Sequence, residues 1–248
     1  MKKSKFLKLF LSNSLILIMT AQLLSQSLPA VDDIPTSAGI VRMHFVGHGS
    51  LMFEINGFVI HVDPVKSSGD YTGRPKADLI MVTHEHSDHF DGKLIEELRK
   101  PGTFLYTSAA VASSVPGAVA MKPGDVAKAG DVTVEAVYAY NIVNERSKGM
   151  PFHPKGSGLG FILTIGDKRF YVAGDTENTP EMKSLRNIDV AFLPMNLPYT
   201  MSPEMVADAA KAFKPAILYP YHFSATKTSV LSDLLKDSGI EVRIRDLK

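Results

Sequence analysis

Three histidines and an aspartate crowd into the six residues His84-Glu85-His86-Ser87-Asp88-His89. The nearly apolar run from Asp78 to Thr83 leads straight into them. In an extended segment, residues two apart share a face, so His84 and His86 can grip one ion. Asp88 and His89 come after the chain bends and can face a second. Imidazole and carboxylate suit Zn²⁺, Mn²⁺ or Fe, whereas a Ca²⁺ cage would want more oxygen. The chain has no cysteine. A Cys-rich structural zinc site and a disulfide framework are therefore both excluded.

Four ligands do not satisfy two ions, so the rest must come from distant loops. His153 lies in a Gly/Pro-rich loop ahead of a strand. Asp175 sits in Ala173-Gly174-Asp175-Thr176, directly after a strand, and His222 follows the apolar run Ala216 to Tyr219. Polar groups just past strand ends are where α/β sites collect. His44 and His61 sit inside strands and read as structural. Asp91 reads as the N-cap of the helix that follows, in preference to a role behind the ligands.

The elements that must position these groups are short. Val41–Val46, Leu51–Ile55 and Phe58–Val62 read as strands, with Asn56-Gly57 as a two-residue hairpin turn. A helix over Lys93–Lys100 stops at Pro101-Gly102. The second half repeats the style. Val132–Tyr138, Gly160–Ile165 and Arg169–Ala173 read as strands, the last two joined by Gly166-Asp167, and Asp189–Leu193 and Ala216–Tyr219 as buried ones. Helices are expected over Thr179–Leu185, Pro203–Phe213 (Ser202 as cap) and Ser229–Ser238. Strands with interspersed helices in two similar halves predict an α/β layered domain with two sheets face to face. Residues 31–39, with Asp, Pro, Ser and Gly, read as a linker, and residues 40–248 as one domain.

Of 248 residues, 45% are hydrophobic, enough for a core, and the net charge of +1 makes no case for nucleic acid or an acidic membrane as partner. A small-molecule substrate is the expected partner. Lys2, Lys3, Lys5 and Lys8 precede an apolar stretch centred on Leu15–Met19, then small or polar residues from Ser25 to Ala30. This is the layout of a secretory signal peptide over residues 1–30, and it predicts an exported, periplasmic or secreted protein. Ser12, Asn13, Ser14 and Thr20 interrupt the apolar run, so no stable membrane span is expected after signal removal. A retained N-terminal anchor is the alternative.

His84-x-His86-x-Asp88-His89, then His153, Gly174-Asp175-Thr176 and His222, together resemble the metallo-β-lactamase superfamily. Asp63, in Val62-Asp63-Pro64, is similar to that family's early aspartate. Phe45-Val46-Gly47-His48-Gly49-Ser50 and His153-Pro154 further resemble its lactonase-like and N-acylphosphatidylethanolamine phospholipase D-like branch. The resemblance implies a four-layer αββα sandwich, two mixed sheets with outer helices, and two divalent metal ions at one edge. Zn²⁺ is foremost, with Mn²⁺ or Fe open. It assigns His84, His86 and His153 to one ion, Asp88, His89 and His222 to the other, Asp175 to the bridge, and Asp63 to orienting ligands. The implied chemistry is a hydroxide shared by the ions and formed near neutral pH. Asp88 would orient it and relay a proton, and His48 and Tyr199 are the candidate donors to the leaving group. A bridging aspartate argues against β-lactam hydrolysis, and Gly47-His48-Gly49-Ser50 against a glyoxalase-II-like thioesterase. The expected reaction is hydrolysis of a small ester, lactone or phosphodiester. A β-lactamase or thioesterase of the same fold, or a non-catalytic metal-binding scaffold, are the alternatives.

Overall fold

In the computed structural model, which describes residues 30–248, the strand signals form two seven-stranded sheets. The signal-like segment lies outside the described residues, apart from Ala30. The first sheet runs in chain order through β1 (Val31–Thr36), β2 (Gly39–Gly47), β3 (Ser50–Ile55), β4 (Phe58–Val62), β5 (Leu79–Val82), β6 (Phe104–Thr107) and β7 (Val119–Ala120). Its first four strands pair antiparallel, and β4 to β7 pair parallel. The chain then makes β8 (Val126–Ala129), β9 (Val132–Ala139), a small hairpin of β10 (Glu145–Ser147) and β11 (Met150–Pro151), β12 (Gly158–Ile165), β13 (Lys168–Val172), β14 (Val190–Pro194), β15 (Ile217–Tyr221) and β16 (Glu241–Val242). The second sheet has the order β16-β15-β14-β13-β12-β9-β8. It too is antiparallel up to β13 and parallel beyond. The duplication read from the sequence is therefore real: each half is a meander followed by parallel strands.

The helices α1 (Gly92–Leu98), α2 (Ala109–Ala112), α3 (Pro180–Lys183), α4 (Pro203–Phe213) and α5 (Thr228–Leu235) complete the layers. β5 shows how. Leu79 and Met81 join the core between the sheets, while Ile80 and Val82 pack with Leu94, Ile95 and Leu98 of α1. Successive side chains of a strand point to opposite faces, so a strand with both faces covered must be apolar throughout. Phe53 of β3 meets Phe170 and Phe192 of the second sheet, with ring centroids 6.1 and 6.0 Å apart. Phe213 of α4 packs edge-on against Tyr171 on the far face of that sheet. The result is the αββα sandwich.

Local signals account for several boundaries. Asn56 and Gly57 both take positive φ, as the two-residue turn between paired Ile55 and Phe58 requires. The Ser202 hydroxyl accepts from Met205 N at 3.3 Å, ahead of Pro203 at the first helical position. Asp91 caps α1 by accepting from Leu94 N at 3.0 Å, as expected.

The linker reading of residues 31–39 is corrected: Val31–Thr36 is the edge strand β1, in register with β2 from Val31↔His44 to Thr36↔Gly39. Only Ile34 of this strand is buried hydrophobic. Charge pairs hold the rest, Asp33 with Arg42 at 2.9 Å and Asp32 with Arg245 at 2.5 Å. Without apolar alternation, its acidic composition reads as loop.

Candidate metal centre

Four of the segments proposed to bear ligands or their support end parallel strands. Asp63 follows β4, His84–His89 follow β5, Asp175 lies just past β13, and His222 follows β15. Parallel strands in each sheet thus aim their C-terminal ends at one edge of the sandwich, the usual place for an α/β site. His48 comes from the β2–β3 turn, and its backbone O accepts from His222 N at 3.3 Å. His48, Asp63 and His222 all hold positive φ. This conformation costs a non-glycine residue energy and persists where the surroundings impose it.

The seven side chains named from the sequence converge. His84 Nε2 and His153 Nε2 lie 3.1 and 3.2 Å from His86 Nδ1. Asp175 Oδ2 is 3.8 Å from His84 Nε2 and 3.3 Å from His153 Nε2. A second set joins Asp88, His89 and His222, with His222 Nε2 at 3.5 Å from Asp88 Oδ2. Asp175 also reaches this set, through Oδ1 to His89 Nε2 at 3.3 Å and Oδ2 to His222 Nε2 at 3.5 Å. One carboxylate therefore touches histidines of both sets.

These atoms fit a pair of cations better than they fit one another. Atoms about 2.0–2.1 Å from a tetrahedral ion lie roughly 3.3 Å apart, the spacing seen here. His89 Nε2, His222 Nε2 and Asp175 Oδ1 are buried without a hydrogen-bond partner among the described residues. The His89–Asp175 approach is close enough for an ion pair but lacks hydrogen-bond geometry. Buried polar atoms left in this way call for an ion or a water.

For three of the histidines the opposite ring nitrogen is occupied, which sets the tautomer. His153 Nδ1 donates to Asn141 Oδ1 at 2.7 Å, and His89 Nδ1 to Asp63 Oδ2 at 2.8 Å. His84 Nδ1 donates to Thr83 Oγ1 at 3.0 Å, and that hydroxyl donates to Asp63 Oδ2 at 2.7 Å. Each contact leaves the Nε2 lone pair free for a cation. Asp63 thus supports two ligands, as the resemblance implied. Gly49 allows the crowding, because a Cβ there would stand 2.6 Å from His89 Cε1.

Electrostatics agree with a cation site. Burial, then the neighbouring His89, holds His84 well below the usual histidine range; burial, then His153, lowers His86. The imidazoles of His222 and then His48, with Nε2 3.5 and 3.2 Å from its Oδ2, hold Asp88 far below the usual carboxylate range. Burial works to raise Asp175, but the charges of His222 and His89 outweigh it, and its pKa falls well below normal. His89 moves the other way. Burial opposes its charge, yet Asp175 and Asp63 raise it well above normal. A proton on His89 and a cation at its Nε2 are alternatives, so metal binding would release that proton.

His48, read as a leaving-group donor, sits against the second set, with Nε2 3.2 Å from Asp88 Oδ2. Asp88 and His48 border a cleft of about 540 Å³ lined also by Ser67, Ser68 and Lys248. Tyr199 is not gathered in. It is 46% exposed, with its ring 5.1 Å from Phe152 and no hydrogen bond from its hydroxyl among the described residues. His44 pairs with Glu54 at 2.7 Å, and buried His61 lies 3.1 Å from Pro75 O; both are structural, as expected. Three residues were missed: Thr83, Asn141 and Glu177. Only Thr83 had a sequence signal, its place between the apolar run and His84.

The family model for the beta-lactamase superfamily domain matches residues 42–222, from β2 to the last histidine of the site. The chain belongs to this superfamily. A UPF0173 metal-dependent hydrolase of Thermococcus kodakarensis is 29% identical over 202 residues, covering 75% of this chain and 85% of the relative. A solved structure from Parabacteroides distasonis, assigned as a metal-dependent hydrolase, is 45% identical with a TM-score of 0.84, over 88% of this chain and 99% of its own. Igni18, a metallo hydrolase of Ignicoccus hospitalis, is 25% identical with a TM-score of 0.68, over 84% of this chain and 95% of its own. The superfamily fold in these structures is the αββα sandwich found here.

Proposed function

We propose that this metal-dependent hydrolase holds two divalent ions, zinc foremost, and cleaves a small ester, lactone or phosphodiester. The observation that carries the two-ion reading is the reach of Asp175. Its oxygens lie 3.3 to 3.8 Å from histidine nitrogens of both ligand sets. His84, His86 and His153 would hold one ion and Asp88, His89 and His222 the other, with Asp175 shared. When bound, such ions lower the pKa of water toward neutrality and polarise a carbonyl or phosphoryl oxygen.

The remaining work falls to side chains. Asp63, Thr83 and Asn141 fix imidazole tautomers, so the Nε2 lone pairs face inward before any ion arrives. Asp88 is half-exposed at the cleft and held ionised by His222 and His48, so it can accept a hydrogen bond from water and orient it. His48 Nε2, facing Asp88 at the same cleft, is placed to move a proton to a leaving group there. The reading includes export, supported by the basic, apolar and small-residue order of residues 2–30.

The test is metal content together with turnover on chromogenic phosphodiesters, lactones and esters. Two ions per chain and turnover of one class support the reading. Two ions and no turnover of any class would favour a scaffold.

A further inference from the structure

Glu177 is fully buried two residues beyond Asp175, in a stretch whose sequence resembles a surface loop. Burying a carboxylate costs several kcal/mol unless donors surround it. Here Oε2 accepts from Ile142 N at 2.8 Å and Val143 N at 2.9 Å. Oε1 accepts from Asn144 N at 2.7 Å and Asn141 Nδ2 at 3.2 Å. One side chain thus binds four consecutive residues. Asn141, so held, accepts on Oδ1 from both His153 N at 2.8 Å and His153 Nδ1 at 2.7 Å. It also donates to Tyr199 O at 2.9 Å, and Asn144 donates to Thr200 O at 3.0 Å, so the segment carrying Tyr199 and Thr200 is tied to the same unit.

We propose that Glu177 is a positioning residue for metal capture: through Asn141 it presets the ring and tautomer of His153 and clamps that ligand to the segment carrying Asp175. The proposal rests on the metal-dependent reading above. The other ligands have separate support. His84 and His89 are held through Thr83 and Asp63, which no hydrogen bond connects to Glu177 among the described residues. Loss of Glu177 should therefore weaken one ion position selectively. Glutamine at 177 forces the point, because its amide turns an N–H toward backbone N–H donors whichever way it lies.

The experiment titrates the metal-free full chain with zinc alone by calorimetry, with circular dichroism as the fold control. His153→Ala identifies the step that depends on His153. Glu177→Gln should weaken that step on the order of 10–100-fold, leave the other within about 3-fold, and add little when combined with His153→Ala. Equal weakening of both steps, or of neither, in a folded variant overturns the proposal. Should Glu177→Gln fail to fold, Asn141→Ala keeps the three backbone donors on Glu177 and must show the same selective loss. Unchanged zinc binding in Asn141→Ala overturns the proposal as well. A wild-type chain that binds no zinc, manganese or iron would sink the metal-dependent reading itself, which is a separate result.

Discussion

Asp63→Asn should cost zinc affinity without touching a ligand. The carboxylate accepts from Thr83 N and Thr83 Oγ1, each at 2.7 Å, and from His89 Nδ1 at 2.8 Å. Asparagine keeps one acceptor oxygen and brings an N–H₂ group. With that oxygen toward Thr83 N, the amide faces the His89 Nδ1–H, donor against donor. Thr83 Oγ1 then loses its acceptor and can donate only to His84 Nδ1, which moves the His84 proton to Nε2, where an ion must sit. With the amide reversed, it opposes Thr83 N instead. Either way a buried donor is left unpaired, at a cost of about 1–3 kcal/mol. Loss of such support around a metal site reduces affinity about 10–100-fold, the same range in another unit. Calorimetric zinc titration of the metal-free protein measures it, with circular dichroism to confirm the fold. Zinc affinities within about 3-fold of wild type in the folded variant would mean that Asp63 does not govern the tautomers of His84 and His89.

Two further outcomes follow from residues that are not themselves ligands. Burial pushes His61 down to about 4, so the unfolded chain binds the extra proton first as pH falls. Its folded pKa lies below the unfolded value, so stability is full above about 6.5 and drains as pH drops toward 4, by about 3 kcal/mol. His61→Gln, which can still donate to Pro75 O, should flatten the denaturant-measured stability over that window, and an unchanged slope would clear His61 of the effect. Gly49→Ala places a methyl 2.6 Å from His89 Cε1 and should displace that ring. Metal analysis should then show loss chiefly from the His89 set; full occupancy at micromolar zinc would mean that the ring is free to move.

The cluster from His84 to His89 was legible because four ligands share six residues at the end of an apolar strand. Asp175 and His222 were legible as polar groups just past strands, and Asn56-Gly57 as a turn that only left-handed conformations satisfy. The duplicated halves also showed in the pattern, though β6, β7, β8 and β16 did not. They are two to four residues long and carry too little periodicity to stand out. β1 was lost because its partners, Arg42 and Arg245, lie across a hairpin and near the far end of the chain. Asn141 and Glu177 were invisible for a similar reason. Their roles consist of contacts made only after folding, and a Glu in a polar stretch resembles any solvated loop residue until the fold buries it. His48 was named from the resemblance carried by Phe45-Val46-Gly47-His48-Gly49-Ser50, and its approach to Asp88 depends on the bend between β2 and β3.

Zinc stoichiometry of Asp175→Ala beside wild type distinguishes one shared two-ion site from two independent ones. Among the described residues, Asp175 is the one carboxylate within 4 Å of histidine nitrogens of both sets. Wild type is expected to retain two ions per chain after dialysis, and the folded variant to lose affinity at both positions together. A variant that loses a single ion, or keeps both at wild-type affinity, would contradict the shared site.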